Sequence, residues 1–141
     1  MIHIFRFIHE QCRNPHFDVN HLINKLNICG TQLRELTYKF YCQSPSALIE
    51  AIRLERILEH LETGEHFMIL SSKCGFGCVK TLNRVFLKRV GISAAKARKQ
   101  LQESHDKEAL KHQWRMKIWS RGGRIPLNEG YVYTVLDENV R

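Results

Sequence analysis

Residues 66–93, HFMILSSKCGFGCVKTLNRVFLKRVGIS, decide the fold. They read as a short helix over residues 67–74, a turn at Gly75, a longer helix over about 79–90 and a stop at Gly91. Ser93 then caps a further helix. The same order occurs once before. Residues 18–28 lie over 66–76 at an offset of 48, with Leu22 on Leu70 and Lys25 on Lys73. After one extra residue in the second turn, residues 29–45 lie over 78–94 at an offset of 49, with Leu33 on Leu82, Lys39 on Lys88 and Ser44 on Ser93. Each unit is a short helix, a tight turn and a longer helix.

Working outward, Asp18 is a good N-cap for a helix over residues 19–26, with Val19, Leu22, Ile23 and Leu26 inward. Asn27 tolerates left-handed backbone, and a second helix runs from near Thr31 to about Tyr41. Between the units, Ser44 and Pro45 open a long helix. Leu48, Ala51, Ile52, Ile57, Leu58 and Leu61 keep helical spacing along it, and Gly64 stops it. Residues 2–12 form an opening helix, with Ile4, Phe5 and Ile8 on one face and Pro15 beyond its end. The expected fold is therefore all-α: two helix-turn-helix units, residues 18–42 and 66–91, joined by a linker helix over 45–63. Residues 1–101 form that domain. Residues 102–141 are an extension of unknown role, starting as a charged helix and carrying the strand-like run YVYTVL at 131–136, with residues 117–120 as a pairing segment.

The charge is lopsided. Of 141 residues, 22 are Lys or Arg and 14 are Asp or Glu, a net charge of +8. Residues 1–101 carry +7 of that excess and residues 102–141 only +1. Residues 66–102 contain no carboxylate and eight basic side chains: Lys73, Lys80, Arg84, Lys88, Arg89, Lys96, Arg98 and Lys99. Solvated helical faces interleave both signs, so this stretch favours contact with a polyanion. No apolar run approaches the roughly 18 residues of a membrane span, and none reads as a signal peptide. The five cysteines are odd in number and scattered, which fits reduced thiols in a cytoplasm and no disulfide framework.

With both units in view, the chain resembles the DNA-binding domain of the AraC/XylS family of bacterial transcription regulators. The run GFGCVKTLNRVFLKRVGISAAKARK, residues 75–99, matches the family signature at Gly75, Phe76, Arg84, Phe86, Lys88, Gly91 and Arg98. The run CQSPSALIEAIRLERILEHLETG, residues 42–64, matches the entry into the linker helix. The resemblance implies a sequence-specific binder of double-stranded DNA that regulates transcription, as a monomer or weak dimer. It implies no enzymatic activity and no cofactor. It also implies that the second helix of each unit enters a major groove. On that basis Thr31, Arg34 and Glu35 of the first unit, and Val79, Lys80, Asn83 and Arg84 of the second, are the candidates for base contact. Arg84 is the foremost, because a bidentate guanidinium on guanine is the commonest specific contact. Lys39, Lys88 and the caps Ser44 and Ser93 are the phosphate candidates. With no ligand-binding domain in view, the chain resembles stand-alone members of the family.

The chain also departs from the family pattern. Glu35 replaces a basic residue, Cys42 replaces a glycine, and Ile23 stands where the first unit wants a small side chain; Ser71 keeps it in the second. Cys29 and Cys78 stand at helix starts where a thiol is expected to cap poorly. These departures favour the second unit as the anchor. They also keep open a module that binds RNA polymerase or another regulator, and a DNA binder without sequence preference. No four-ligand metal spacing appears among the cysteines and histidines. Cys74 is expected on an inward face, and the thiols read as inert or, at Cys29 and Cys78, as redox-sensitive. Trp114 and Trp119, with Arg115 and Lys117, are open to stacking on nucleic acid but are rather expected to pack locally or at a partner interface. The extension is open to docking on the core, edge pairing or partner contact.

Overall fold

The computed structural model describes residues 2–119. Eight α-helices follow in order among them: α1 Ile2–Gln11, α2 Val19–Leu26, α3 Gly30–Tyr41, α4 Pro45–His60, α5 Phe67–Lys73, α6 Val79–Val90, α7 Ala94–Glu103 and α8 Lys107–Ile118. A 3-10 turn, Leu61–Thr63, extends α4 to Gly64, whose φ of 75° ends it. The all-α class and the double helix-turn-helix order follow the sequence pattern, with helix ends within about a residue of those expected. The strand expected at 131–136 lies outside the described residues. Residues 117 and 118, expected to pair with it, are the last turn of α8.

Local chemistry accounts for the helix starts. Asp18 accepts the His21 N–H, Ser44 that of Ala47, Ser93 that of Lys96 and Asp106 that of Ala109. Cys29 departs from expectation. Its Sγ accepts the Gln32 N–H at 3.4 Å while Gln32 Oε1 accepts the Cys29 N–H at 3.1 Å, a reciprocal capping box built on a thiol. Cys78 makes no such cap; its Sγ lies 3.2 Å from Thr81 Oγ1.

The linker helix is the axis of the core. Leu48, Ala51, Leu54, Ile57 and Leu58 of α4 are buried, and α1, α3, α5 and α8 all pack on it. Leu22, Leu33 and Phe40 fill the first unit, and Leu70, Leu82, Val85 and Phe86 the second.

Two arginines of the carboxylate-free stretch, Arg89 and Arg98, are structural, and so is Arg53 of the linker helix. Arg53 of α4 donates to the carbonyls of Cys12, Asn14 and Phe17 at 2.9–3.0 Å, fastening the α1–α2 loop to the axis. The turn at Gly75 leans on the same loop. Its φ is +95°, and a Cβ there would collide with the Cys12 carbonyl oxygen. Arg89 of α6 donates to Glu50 Oε1, Gln43 Oε1 and the Ile118 carbonyl at 2.7–3.2 Å. Arg98 of α7 donates to the Leu61 carbonyl at 2.9 Å and stacks on Phe67.

Helix α8 is part of this core. Trp114, Ile118 and Trp119 are buried, Trp119 against Tyr41, and α8 packs on α4, α6 and α7. Arg115 Nε donates to both oxygens of buried Glu55 on α4 at 2.7 and 2.9 Å. Lys111 pairs with Glu62. The packed body therefore continues past residue 101, because the extension supplies two tryptophans that the other helices leave room for.

Candidate nucleic-acid interface

The two units place equivalent residues on equivalent faces. At the offset of 49, Thr31, Arg34 and Glu35 of α3 correspond to Lys80, Asn83 and Arg84 of α6. All six are exposed. Their i, i+3, i+4 spacing puts each triplet on one side of its helix, while Leu33 and Thr37 in α3 and Leu82, Val85 and Phe86 in α6 face inward. Val79, the seventh base candidate, is half-buried in the first turn of α6.

The side chains differ in how they are held. Lys80, Asn83 and Arg84 make no hydrogen bond or ion pair with any described residue, so Arg84 presents its full donor fork outward. Arg34 is parked: its guanidinium stacks on Tyr38 at 5.1 Å and donates to the Tyr38 hydroxyl at 3.4 Å. Tyr38, one turn farther along α3 and 39 % exposed, belongs to this face and was not singled out from the sequence; the signal was its i+4 spacing from Arg34. Its counterpart on α6 is Leu87, also exposed. Glu35 lines a shallow groove with Ile28, Gln32, Leu36 and Lys39.

The four phosphate candidates fall into two pairs. Lys39 and Lys88 are both exposed. Lys39 sits 5.5 Å from the Phe40 ring, and Lys88 pairs with Glu50 at 3.6 Å. Ser44 and Ser93 spend their hydroxyl acceptors on their own helix starts, so what each offers an anion is the remaining N–H groups of the first turn.

Of the eight cations in the carboxylate-free stretch, Arg89 and Arg98 are structural as described, and Lys73 pairs with Glu65 at 3.4 Å. The carboxylates that answer them, Glu50 and Glu65, lie outside the stretch. The other five are exposed, Lys88 beside Glu50 and Lys80, Arg84, Lys96 and Lys99 with no carboxylate partner among the described residues.

The cysteines divide by place. Burial pushes the Cys12 thiol up to about 12 and the Cys74 thiol up to about 11. Exposed Cys78 is held below the ordinary thiol range, mainly by its hydrogen bond with the Thr81 side chain. Among the described residues, no three His, Cys, Asp or Glu side chains gather as a metal site, and no helix is long and apolar enough to cross a membrane.

The arrangement offers two convex, polar helix faces rimmed with cations, suited to a grooved polyanion. No family model matches the chain, and no solved structure matches it. Over 58 residues, 40 % of its length, the chain is 38 % identical to the HTH-type transcriptional regulator Rv1931c of Mycobacterium tuberculosis (strain ATCC 25618 / H37Rv). That match takes in 22 % of the regulator's own length, so the chain is similar to about a fifth of a longer helix-turn-helix regulator.

Proposed function

We propose that the chain binds specific double-stranded DNA sequences and regulates transcription, as a regulator of the AraC/XylS type. The observation that carries this reading is the repeat in three dimensions. Two helix-turn-helix units set around one buried axis each present the same three positions of their second helix outward. A major groove admits one helix, and base edges are read by polar side chains along it. In this reading Arg84, Asn83 and Lys80 specify one block of sequence, and Arg34, Thr31 and Glu35 a second. Lys39, Lys88 and the starts of α4 and α7 hold the backbone. Glu35 fits a cytosine amino group and disfavours a bare phosphate. The similarity to a named helix-turn-helix regulator supports the same class.

Selection of binding sites from a random duplex pool at near-physiological salt tests the proposal. Two enriched blocks about ten base pairs apart are expected. Measurable binding without enrichment would overturn sequence-specific reading and leave a salt-dependent, sequence-independent binder.

A further inference from the structure

The start of the linker helix opens into a cleft that base reading does not use. We propose that this cleft is a binding site for a phosphate group. Gln43, Ser44 and Ser46 line it from the start of α4, Lys88 and Arg89 from the end of α6, and Lys117 from the end of α8. Among the described residues, Glu50 is the one carboxylate on its wall, beside the cations Lys88, Arg89 and Lys117. Glu50 takes Lys88 at 3.6 Å and Arg89 at 3.2 Å, and Lys117 Nζ donates to the Val90 carbonyl at 3.4 Å.

The helix start adds donors. Pro45 has no N–H, and the Ala47 N–H goes to Ser44 Oγ at 3.2 Å. The Ser46 N–H remains, at the positive end of a helix of 16 residues. An independent observation points to a ligand. Gln43 is only 3 % exposed; its Oε1 accepts from Arg89 at 3.0 Å, and its Nε2 has no partner among the described residues. A buried amide ordinarily uses both ends. An orphaned donor on the wall of a cation-rich cleft lacks an acceptor, and a negatively charged one suits its neighbours. The oxygens of a phosphate meet several such donors at once. The group comes either from the DNA backbone, which rests on the DNA-binding reading above, or from free phosphate, which does not.

The full-length chain distinguishes the two. Thermal unfolding is followed in inorganic phosphate and in chloride at matched ionic strength, for the wild type, Gln43→Glu and Lys88→Gln. Gln43→Glu keeps the acceptor for Arg89 and turns the orphaned donor into a carboxylate oxygen. Lys88→Gln changes an exposed side chain. A free-phosphate site makes phosphate raise the wild-type Tm beyond chloride, with the apparent affinity at least tenfold weaker in both variants. A backbone site gives no such effect. Instead both variants bind every duplex more weakly by a similar factor, and Lys88→Gln lowers the salt slope by about one. If phosphate acts like chloride and duplex binding is unchanged in both variants, the proposal is overturned. If no duplex binds the wild type while phosphate still stabilises it, the DNA-binding reading fails and the site stands.

Discussion

Two side chains on opposite sides of the repeat show how much one residue decides. Arg84 is exposed, unpartnered among the described residues and matched at the equivalent place in α3 by Glu35. In the DNA-binding reading, Arg84→Ala removes a bidentate base contact. It is expected to weaken the best site by about 1–3 kcal/mol and relax preference at one base pair. Competition binding against single-base variants of that site measures both, and unchanged affinity would remove α6 from base reading. Cys42 is a residue in the wrong conformation for its type. It closes α3 at φ 57°, where the second unit has Gly91 at φ 94°. A left-handed non-glycine residue carries a penalty of about 1–2 kcal/mol. Cys42→Gly relieves it and gives back part through the freer unfolded chain, so a net gain of about 0.5–1 kcal/mol is expected in urea unfolding. Both residues stand out through the resemblance to the family, Arg84 as a base candidate and Cys42 as a replaced glycine, and the structure places Arg84 on an exposed face and Cys42 in left-handed backbone. The stacking of Arg34 on Tyr38 was not legible in the sequence, since a rotamer choice leaves no mark on composition.

Most helix starts were legible for a chemical reason: Asp18, Ser44 and Ser93 are good acceptors in the right place. Cys29 escaped because a sulfur cap depends on Gln32 reaching back, a pairing rather than a residue type. The role of α8 also escaped. Its buried stripe is narrow, Trp114 and Ile118 with half-buried Leu110, and charges stand between. Those charges find their partners, Glu55 and Glu62, about 50 to 60 residues back in the chain. Trp114→Ala is expected to destabilise the whole body by about 3–5 kcal/mol, as large-to-small changes at fully packed aromatics do. Removing residues 102–141 is expected to prevent cooperative folding; a truncated chain with a native-like melt would show that α8 is dispensable. Glu55 adds a pH dependence at the same joint. Burial pushes its carboxyl up to about 7 from the ordinary 4.5, against the pull of Arg115. The folded chain thus holds a proton that the unfolded chain has already released, and this contribution to stability is lost as pH rises from about 4.5 through 7. Glu55→Gln cannot titrate. Its stability relative to wild type is therefore expected to improve between pH 5 and pH 7 in paired urea titrations, and parallel profiles would refute the assignment.

At the scale of the molecule, the two units are not beads on a string. Arg53 fastens the α1–α2 loop to the axis, Gly75 presses the second turn onto that loop, and Arg89 joins α6 to α4 and to the end of α8. Such a body holds its two exposed faces at one separation. In the DNA-binding reading, inserting five base pairs between the two sequence blocks turns one of them to the far side of the duplex. Affinity is then expected to fall to that of a single block; a site that tolerates the insertion would show that the units move independently. The sequence disclosed that there are two units and one connector. It did not disclose the joints between them, because an arginine reads as surplus charge until its carbonyl partners are seen.

The expected clash at Ile23 resolves through Gly30. A Cβ on Gly30 would lie 3.6 Å from Ile23 Cδ1, an ordinary contact. In the second unit the corresponding positions hold Ser71 and Val79. The first unit thus pairs a large residue with a small one, and the second holds a small and a large residue at the equivalent places. In the first unit the two places are therefore coupled in size. Valine branches at Cβ and has essentially one helical rotamer, so its methyls extend beyond a Cβ that already touches Ile23, and room for them has to come from position 23. Alanine at position 30 is the stepping stone that keeps contact throughout. Once a unit has settled on either arrangement, the halves of a duplicated motif cease to be exchangeable parts, and a graft of α5 in place of α2 has to carry the start of α6 with it.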